Sequence, residues 1–257
     1  MSTSSTFIST RLIEIAKEHD VTVLYAAEAG SRAWGFPSTD SDYDVRFIYM
    51  RSRDHYLSLN IEHERDTIEW MSDDHVYDFS GWDLRKCLKL MQRSNPALIE
   101  WFWSPIVYVR VQPHADVLYE AAAKSYNRVA AHYHYMSMAK NNFNRWLTSD
   151  RVRFKKYLYV IRPLMAVNYI ATHDTPPPVN YFALVTECSV PDAVKERVRD
   201  LIRRKANADE LSDLPRDDVL HTYITETLQW KKPVYDIPDK MNLNDTFLSL
   251  LPPHNVS

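Results

Sequence analysis

Residues 29–48 read Ala-Gly-Ser-Arg-Ala-Trp-Gly-Phe-Pro-Ser-Thr-Asp-Ser-Asp-Tyr-Asp-Val-Arg-Phe-Ile, and this stretch decides the fold of the chain. It contains Gly30 and Gly35, two of the three glycines in the chain, where average usage would give roughly eighteen. A chain so sparing with glycine is expected to use it where the backbone takes φ > 0 or approaches another group closely. The stretch therefore predicts a functional turn.

Two aspartates, Asp42 and Asp44, stand one residue apart where this stretch becomes apolar. The run over residues 45–49 is rich in β-branched and aromatic side chains, which predicts a strand. Alternate residues of a strand share a face, so we expect both carboxylates to point the same way. Adjacent like charges repel unless a cation lies between them, and Mg²⁺ bound by carboxylates and substrate phosphates is a common solution. The alternative is that the aspartates cap a turn.

The pattern Gly30-Ser31, ten intervening residues and then Asp-x-Asp resembles the nucleotidyltransferases of the DNA polymerase β superfamily. The longer strings over residues 30–36 and 41–46 resemble the YcgL/RlaP-type predicted nucleotidyltransferases in particular. The resemblance implies an α/β (α+β) fold, with a small mixed β-sheet nucleotidyltransferase core followed by a helical-bundle domain. It also implies transfer of a nucleoside monophosphate from an NTP to an acceptor hydroxyl, with release of pyrophosphate.

The resemblance further implies a metal site. Asp42 and Asp44 would bridge two Mg²⁺ ions, with Mn²⁺ as an alternative ion. The superfamily carries a third carboxylate on a neighbouring strand, and Asp78 is our choice for it. Glu69 is the alternative candidate for the third carboxylate, and Asp66 is a weaker one. If Asp78 is not that carboxylate, it is an ordinary residue at the end of a strand. As the third carboxylate, Asp78 would complete the metal site and take the proton of the acceptor hydroxyl.

Nucleotide-binding residues are expected around the glycine turn. Gly30 and Ser31 would contact the β- and γ-phosphates through backbone amides and the Ser31 hydroxyl, with Ser41 as a second hydroxyl. A short helix beginning near Arg32 would offer its N-terminal amides to phosphate. We expect Arg32 and Lys86 to act as electrostatic supports, Lys86 because residues 81–86 resemble a Gly-x-Asp-Leu-x-Lys run of the related family.

Basic residues are concentrated in residues 140–162, which hold seven lysines and arginines against a single acid. A helix predicted over residues 151–172 places Lys155 and Tyr159 beside its apolar stripe. We interpret this strip as nucleotide-binding, because residues 155–163 also resemble the C-terminal pattern of the family. The alternative is a solvated helix edge whose long cationic stems cover apolar surface.

The chain changes character near residue 110. Up to that point strands are predicted over residues 21–27, 45–49, 66–71, 75–79 and 106–109, in a sheet with helices on one side. One of the helices is predicted over residues 82–92. Beyond it helices are predicted over residues 115–124, 127–147, 151–172, 181–187, 191–206 and 217–230. We therefore predict a catalytic domain over residues 1–110 and a helical domain over residues 111–257. The first part holds 12 basic and 17 acidic residues and the second 19 and 17, which indicates an acidic first half.

Targeting segments are not evident. No basic region followed by an apolar one opens the chain, and no apolar run reaches the roughly 18–20 residues that cross a bilayer. The cysteines, Cys87 and Cys188, lack the spacing of metal ligands. We expect a cytoplasmic protein that binds an NTP and an RNA, tRNA or protein acceptor. A net charge of −3 argues against stable bulk DNA binding, and no membrane contact is expected.

Two hypotheses come from other classes of function. One is a catalytically silent nucleotide- or RNA-binding regulator that keeps the fold. Three retained carboxylates argue against it, because an empty metal site costs repulsion. The other is a component of an RNA-repair or toxin–antitoxin assembly whose activity depends on a second protein.

Overall fold

The computed structural model describes residues 3–38, 40–59, 63–149, 151–207, 213–230, 233–236 and 241–253. The chain forms two compact units. The first, called the sheet unit, comprises Met1–Gly30, Asp42–Ser125 and Asp239–Ser257, and the second, called the helical unit, comprises Ser31–Ser41 and Tyr126–Pro238. This division differs from the predicted boundary at 110/111, because the strand and helix that follow residue 106 still pack on the sheet.

The sheet unit is built on five strands in the order β3-β4-β2-β1-β5. These are β1 (Thr22–Glu28), β2 (Tyr43–Met50), β3 (Thr67–Met71), β4 (Tyr77–Asp83) and β5 (Val107–Arg110). Strands β2 and β4 are parallel and the other neighbours are antiparallel. The predicted α/β class with a mixed sheet is confirmed.

Helices cover both faces of this sheet. The helices of the unit are α1 (Thr3–Glu18), α3 (Arg53–Tyr56), α4 (Leu84–Met91), α5 (Pro96–Phe102) and α6 (His114–Lys124). The short helix α2 (Gly30–Ala33) begins at the last residue of the segment Met1–Gly30 and continues into the helical unit. Helix α1 packs on the face that carries Val45 and Phe47, and helices α4 to α6 pack on the face of Ile48 and Met50. The prediction of helices on one side is wrong, because β2 is apolar on both of its faces.

Strand β4 is longer than its sequence pattern indicates. We expected a helix over residues 82–92, but β4 continues through Asp83 and α4 begins at Leu84. Gly81 permits the extension, because the ring of Phe47 fills the space that a Cβ on Gly81 would take. Asp83 then caps α4, its Oδ1 accepting a hydrogen bond from the Arg85 amide at 2.7 Å.

The helical unit is organised around one buried helix. Its helices are α7 (Arg128–Trp146), α8 (Phe154–Thr172), α9 (Tyr181–Glu187), α10 (Asp192–Asn207) and α11 (Asp218–Leu228), and a last helix, α12 (Asn244–Leu250), belongs to the sheet unit. Leu158, Ile161 and Leu164 of α8 are buried in its core. The predicted helices are found within a few residues of their bounds, except that β6 (Arg151–Arg153) precedes α8 and pairs with β7 (Asp213–Pro215).

No helix in the described part of the chain is long and apolar enough to cross a bilayer.

Candidate active site

The carboxylates of Asp44 and Asp78 belong to neighbouring parallel strands. In the register of β2 and β4 the two residues lie directly opposite each other. Paired residues on adjacent strands share a face, and strands lie about 4.8 Å apart. Their side chains are 31% and 32% exposed, so both carboxylates are open to solvent and ligands. The chosen third carboxylate therefore stands beside one of the two motif aspartates.

Arg46 bridges these two carboxylates. Its Nη2 donates to Asp44 Oδ1 at 2.9 Å and to Asp78 Oδ2 at 2.8 Å. Its Nη1 donates to the carbonyl oxygens of Val45 and Asp78, each at 3.2 Å. Arg46 is not among the site residues predicted from the sequence, although its position offers a signal. A cation two residues after Asp44 on a strand lies on the same face.

Gly30 lies against the other side of the Asp44 carboxylate. Its φ is +58°, and a Cβ built on it would overlap Asp44 Oδ2 and come within 2.9 Å of Cγ. The Ala29 amide donates to the Asp44 carbonyl oxygen at 2.8 Å, which ties the turn to β2. Glycine was expected where the backbone takes a positive φ or approaches another group closely, and Gly30 does both.

A buried acid, Glu28, fixes the backbone of Asp44. Glu28 ends β1 and is 1% exposed. Its Oε1 accepts a hydrogen bond from the Asp44 amide at 2.7 Å, and its Oε2 accepts one from the Tyr108 hydroxyl. The Glu28 carbonyl oxygen accepts from Ser104 Oγ at 2.6 Å. Glu28 is a second residue that the sequence analysis missed, because only its place at the end of an apolar run marked it.

The site offers oxygen ligands but not a complete set of protein ligands for a metal ion. Within the described ranges, no three His, Cys, Asp or Glu side chains come together as a group that could hold a metal ion. Asp44 and Asp78 nevertheless converge on one cationic nitrogen, and Mg²⁺ is often bound by one or two carboxylates together with substrate phosphates. The pair therefore fits a magnesium ion whose remaining ligands come from the substrate. Asp42 is exposed just before β2, and its bridging role stays a prediction.

The alternative acids and Lys86 lie apart from this pair. Glu69 is exposed on the edge strand β3, opposite Ser80 rather than Asp78. Asp66 precedes β3, and its Oδ1 is 2.8 Å from Lys86 Nζ. Lys86 follows the far end of β4, and at about 3.3 Å per residue that end is roughly 17 Å from Asp78. The structure does not bring Lys86 to the carboxylates, because the extended β4 carries it to the opposite end of the strand.

Ser31, Arg32 and Ser41 lie together in the helical unit. Ser31 Oγ donates to Ser41 Oγ at 3.2 Å, and Arg32 Nη2 donates to the Ser41 carbonyl oxygen at 2.6 Å. Ser41 Oγ also accepts from the Ser38 amide at 2.8 Å. These bonds close the segment between Gly30 and Asp42 on itself. Two hydroxyls and a guanidinium thus meet in one loop, and their contact with phosphate stays a prediction.

The predicted basic strip includes a cluster of rings and cations. The Tyr159 ring lies 5.8 Å from that of Trp34 and 6.1 Å from that of Trp146. Lys156 Nζ lies 4.0 Å from the centroid of the Trp146 ring, and the Arg162 guanidinium lies 4.4 Å from that of Trp34. Tyr159 therefore packs where α7, α8 and the loop meet within the helical unit, which favours a structural role beside the predicted nucleotide contact.

Lys155 lies close to the same loop. It is among the charges that lower the pKa of Asp40, after the larger effect of a hydrogen bond from the Ser38 side chain. Its side chain is partly buried. The position agrees with a cation that faces the loop, and binding of nucleotide by Lys155 stays a prediction.

Comparison with known proteins gives three findings. The chain matches the family model RlaP, described as "RNA repair pathway DNA polymerase beta family", over residues 5–249. It is 42% identical over 218 residues to the uncharacterized protein YcgL of Bacillus subtilis (strain 168), covering 85% of this chain and 83% of that protein. The crystal structure of a nucleotidyltransferase-like protein from Exiguobacterium sibiricum 255-15 aligns with 86% of this chain and 72% of that one, at 10% identity. Its TM-score of 0.32 is too low to show a common fold.

Proposed function

Because the chain belongs to the RlaP family, the RNA repair pathway DNA polymerase beta family, we propose that this nucleotidyltransferase-like protein is a magnesium-dependent enzyme. It transfers a nucleoside monophosphate from an NTP to an acceptor hydroxyl and releases pyrophosphate. The single observation that supports this proposal most is the pairing of Asp44 with Asp78 across parallel strands. Two acids on one face of a sheet, beside a glycine turn, suit the binding of a metal-complexed triphosphate.

Each site residue of the sheet unit then has a specific role. Asp44 and Asp78 supply oxygen ligands to Mg²⁺, and Asp42 adds a further carboxylate. Bound Mg²⁺ neutralises charge on the triphosphate and stabilises the entering and leaving oxygens. Asp78 also accepts the proton of the acceptor hydroxyl. Glu28 holds the Asp44 amide, so the acid keeps a fixed direction while substrate binds.

The loop after Gly30 contributes donors for phosphate. The backbone amide and hydroxyl of Ser31 contact the β- and γ-phosphates, and the Ser41 hydroxyl and Arg32 guanidinium support them. Gly30 lacks a Cβ, and the Asp44 carboxylate occupies the space that a Cβ would take. Lys155 and Tyr159 add contacts to nucleotide from α8.

The acceptor that we favour is an RNA or tRNA end, with a protein hydroxyl as the alternative. The description of the family, which names an RNA repair pathway, supports the first choice.

Both cysteines, Cys87 and Cys188, are buried and free, which agrees with a protein of the reducing cytoplasm.

A catalytically silent nucleotide- or RNA-binding regulator is the second candidate. The observation that favours it is Arg46, whose guanidinium forms an ion pair with each of the two carboxylates. A silent protein would bind NTP but release no pyrophosphate. Turnover by the wild-type protein therefore separates the two functions.

The test is transfer of label from each of the four α-labelled NTPs to a total RNA pool or a protein lysate, in the presence of Mg²⁺. We expect one acceptor class to become labelled, with pyrophosphate released in equal amount. The Glu69→Gln variant is the matched control, because it changes an exposed acid on the same sheet. An absence of label and of pyrophosphate with every NTP would favour the regulator.

A further inference from the structure

Arg46 contacts the carboxylate pair while its guanidinium is also bonded to the backbone of the sheet. It lies on β2, two residues after Asp44, and its side chain is 19% exposed. One nitrogen, Nη2, contacts both carboxylates, while Nη1 donates to two backbone carbonyl oxygens. The guanidinium is therefore anchored to the sheet and not only to the acids.

This arrangement solves the repulsion between two acids on adjacent strands. Carboxylates that face each other at strand spacing disfavour the ionised state of both unless a cation lies between them. Arg46 supplies that cation from within the chain. The pair is thus held in place before any metal ion arrives.

The same arrangement is not compatible with a metal ion on the same oxygens. An ion that took both Asp44 Oδ1 and Asp78 Oδ2 as ligands, at about 2.0–2.1 Å, would lie against Nη2, which contacts the same two oxygens at 2.9 and 2.8 Å. A divalent ion at this point would also stand beside a like charge. For the ion to bridge Asp44 Oδ1 and Asp78 Oδ2, Nη2 has to leave these two oxygens.

We propose that Arg46 is the resident counter-ion of the Asp44–Asp78 pair and that a divalent ion binds by displacing its Nη2. Arg46 is then a positioning residue that sets the metal affinity of the free protein. The bonds from Nη1 to the Val45 and Asp78 carbonyl oxygens keep the guanidinium within reach, so it returns when the metal leaves. The proposal rests on the proposed function, because it takes the pair to be the metal site.

The experiment measures Mn²⁺ binding to the full chain without nucleotide, from the electron paramagnetic resonance signal of the free ion. Four proteins are compared: wild type, Arg46→Gln, Arg46→Lys and Lys86→Ala. Lys86 is the matched control, because it is a cation paired with an acid at the far end of β4. Circular dichroism and urea unfolding establish that each variant is folded.

Arg46→Gln should bind Mn²⁺ about threefold to thirtyfold more tightly than wild type, since two partly exposed ion pairs are worth about that factor. Arg46→Lys should also bind more tightly, though by less, because a single ammonium cannot keep the four bonds of the fork. Lys86→Ala should bind like wild type. If Arg46→Gln does not fold, the Arg46→Lys comparison decides the question in the same way.

Equal or weaker Mn²⁺ binding by folded Arg46 variants would overturn the proposal while leaving the metal site intact. If neither wild type nor the Arg46 variants bind Mn²⁺, Arg46 does not set the metal affinity of the nucleotide-free protein, and the proposal is overturned. Binding by the Arg46 variants alone supports the proposal in its strongest form, in which Arg46 outcompetes the ion.

Discussion

Gly30 and Asp44 fit together only because Gly30 has no Cβ, since a Cβ built there would overlap the Asp44 carboxylate. The positive φ of Gly30 adds a second reason for glycine. The position of the Asp44 carboxylate therefore depends on the backbone of the turn at Gly30, which packs directly against it.

Gly30→Ala should lower the free energy of unfolding by about 1–3 kcal/mol, because a non-glycine residue at positive φ is strained. It should also abolish binding of Mg·NTP, because the new methyl group displaces the Asp44 carboxylate. Urea unfolding and titration with NTP and Mg²⁺ measure the two effects. Gly81→Ala is the control, since its methyl group meets the Phe47 ring instead. Gly81→Ala should lose stability but keep Mg·NTP binding. Wild-type stability and wild-type Mg·NTP binding in Gly30→Ala would contradict the close fit of Gly30 against Asp44.

Asp78→Asn should remove turnover but leave Mg·NTP binding nearly intact. Of the two ions that the sequence predicts, Asp42 and Asp44 would still hold the one bound to the triphosphate. Asp78, in contrast, would complete the site of the ion that activates the acceptor hydroxyl and would take the proton of that hydroxyl. Glu69→Gln should be almost silent, because Glu69 is exposed and lies opposite Ser80 on an edge strand. Pyrophosphate release and nucleotide titration on both variants decide the assignment. An inactive Glu69→Gln beside an active Asp78→Asn would mean that the third carboxylate is Glu69.

Tyr108→Phe should destabilise the protein by about 1–3 kcal/mol, since it removes a hydrogen bond to a buried carboxylate. The carboxylate is that of Glu28, whose Oε1 holds the Asp44 amide. We therefore expect pyrophosphate release to fall as well, even though Tyr108 contacts no predicted ligand. Tyr119→Phe, at a half-exposed tyrosine, serves as the control and should match wild type. Full stability of Tyr108→Phe would show that Glu28 does not need this hydrogen bond.

Asp83 predicts a pH dependence of stability. Burial raises the pKa of Asp83 in the folded protein, although hydrogen bonds from Tyr56 and the Arg85 amide oppose the shift. An acid with a raised folded pKa contributes most stability below its unfolded pKa, and loses that contribution as the pH rises through the folded value. Asp83→Asn keeps a cap acceptor and cannot ionise. Its free energy of unfolding relative to wild type should therefore increase with pH above about 4 and then level off.

Urea unfolding of wild type and Asp83→Asn at a series of pH values between about 3.5 and 7 measures this difference. A difference that stays constant with pH, or that decreases as the pH rises, would show that Asp83 is not disfavoured as an ion in the folded protein.

The strands that carry Asp44 and Asp78 could be predicted because local signals mark both of them, whereas the expectation that Asp78 lies on a neighbouring strand came from the family resemblance. An Asp-x-Asp opens one apolar run, and a second acid stands in the next strand-like run but one. The helices after residue 126 could be predicted for the same reason, since a period of 3.6 residues is visible in each segment.

Other features depend on contacts between residues far apart in sequence. The bond from Tyr108 to Glu28 spans eighty residues, and no local pattern records which strand becomes the neighbour of β1. The position of Lys86 was misjudged because β4 extends through Asp83, where tertiary packing of Gly81 on Phe47 overrides the helix-like pattern. The bridging by Arg46 needed the register of β2 and β4, which only the folded sheet supplies.

The most direct test of the central claim is transfer of label from an α-labelled NTP to the acceptor pool by wild type and Asp44→Asn, each with Mg²⁺ and with EDTA. We predict labelled acceptor and released pyrophosphate only for wild type with Mg²⁺, because Asp44 supplies an oxygen ligand to the ion beside Asp78. Circular dichroism establishes that the variant is folded. Labelling that persists in EDTA, or that is equal in Asp44→Asn, would contradict a metal-dependent nucleotidyl transfer at this pair of carboxylates.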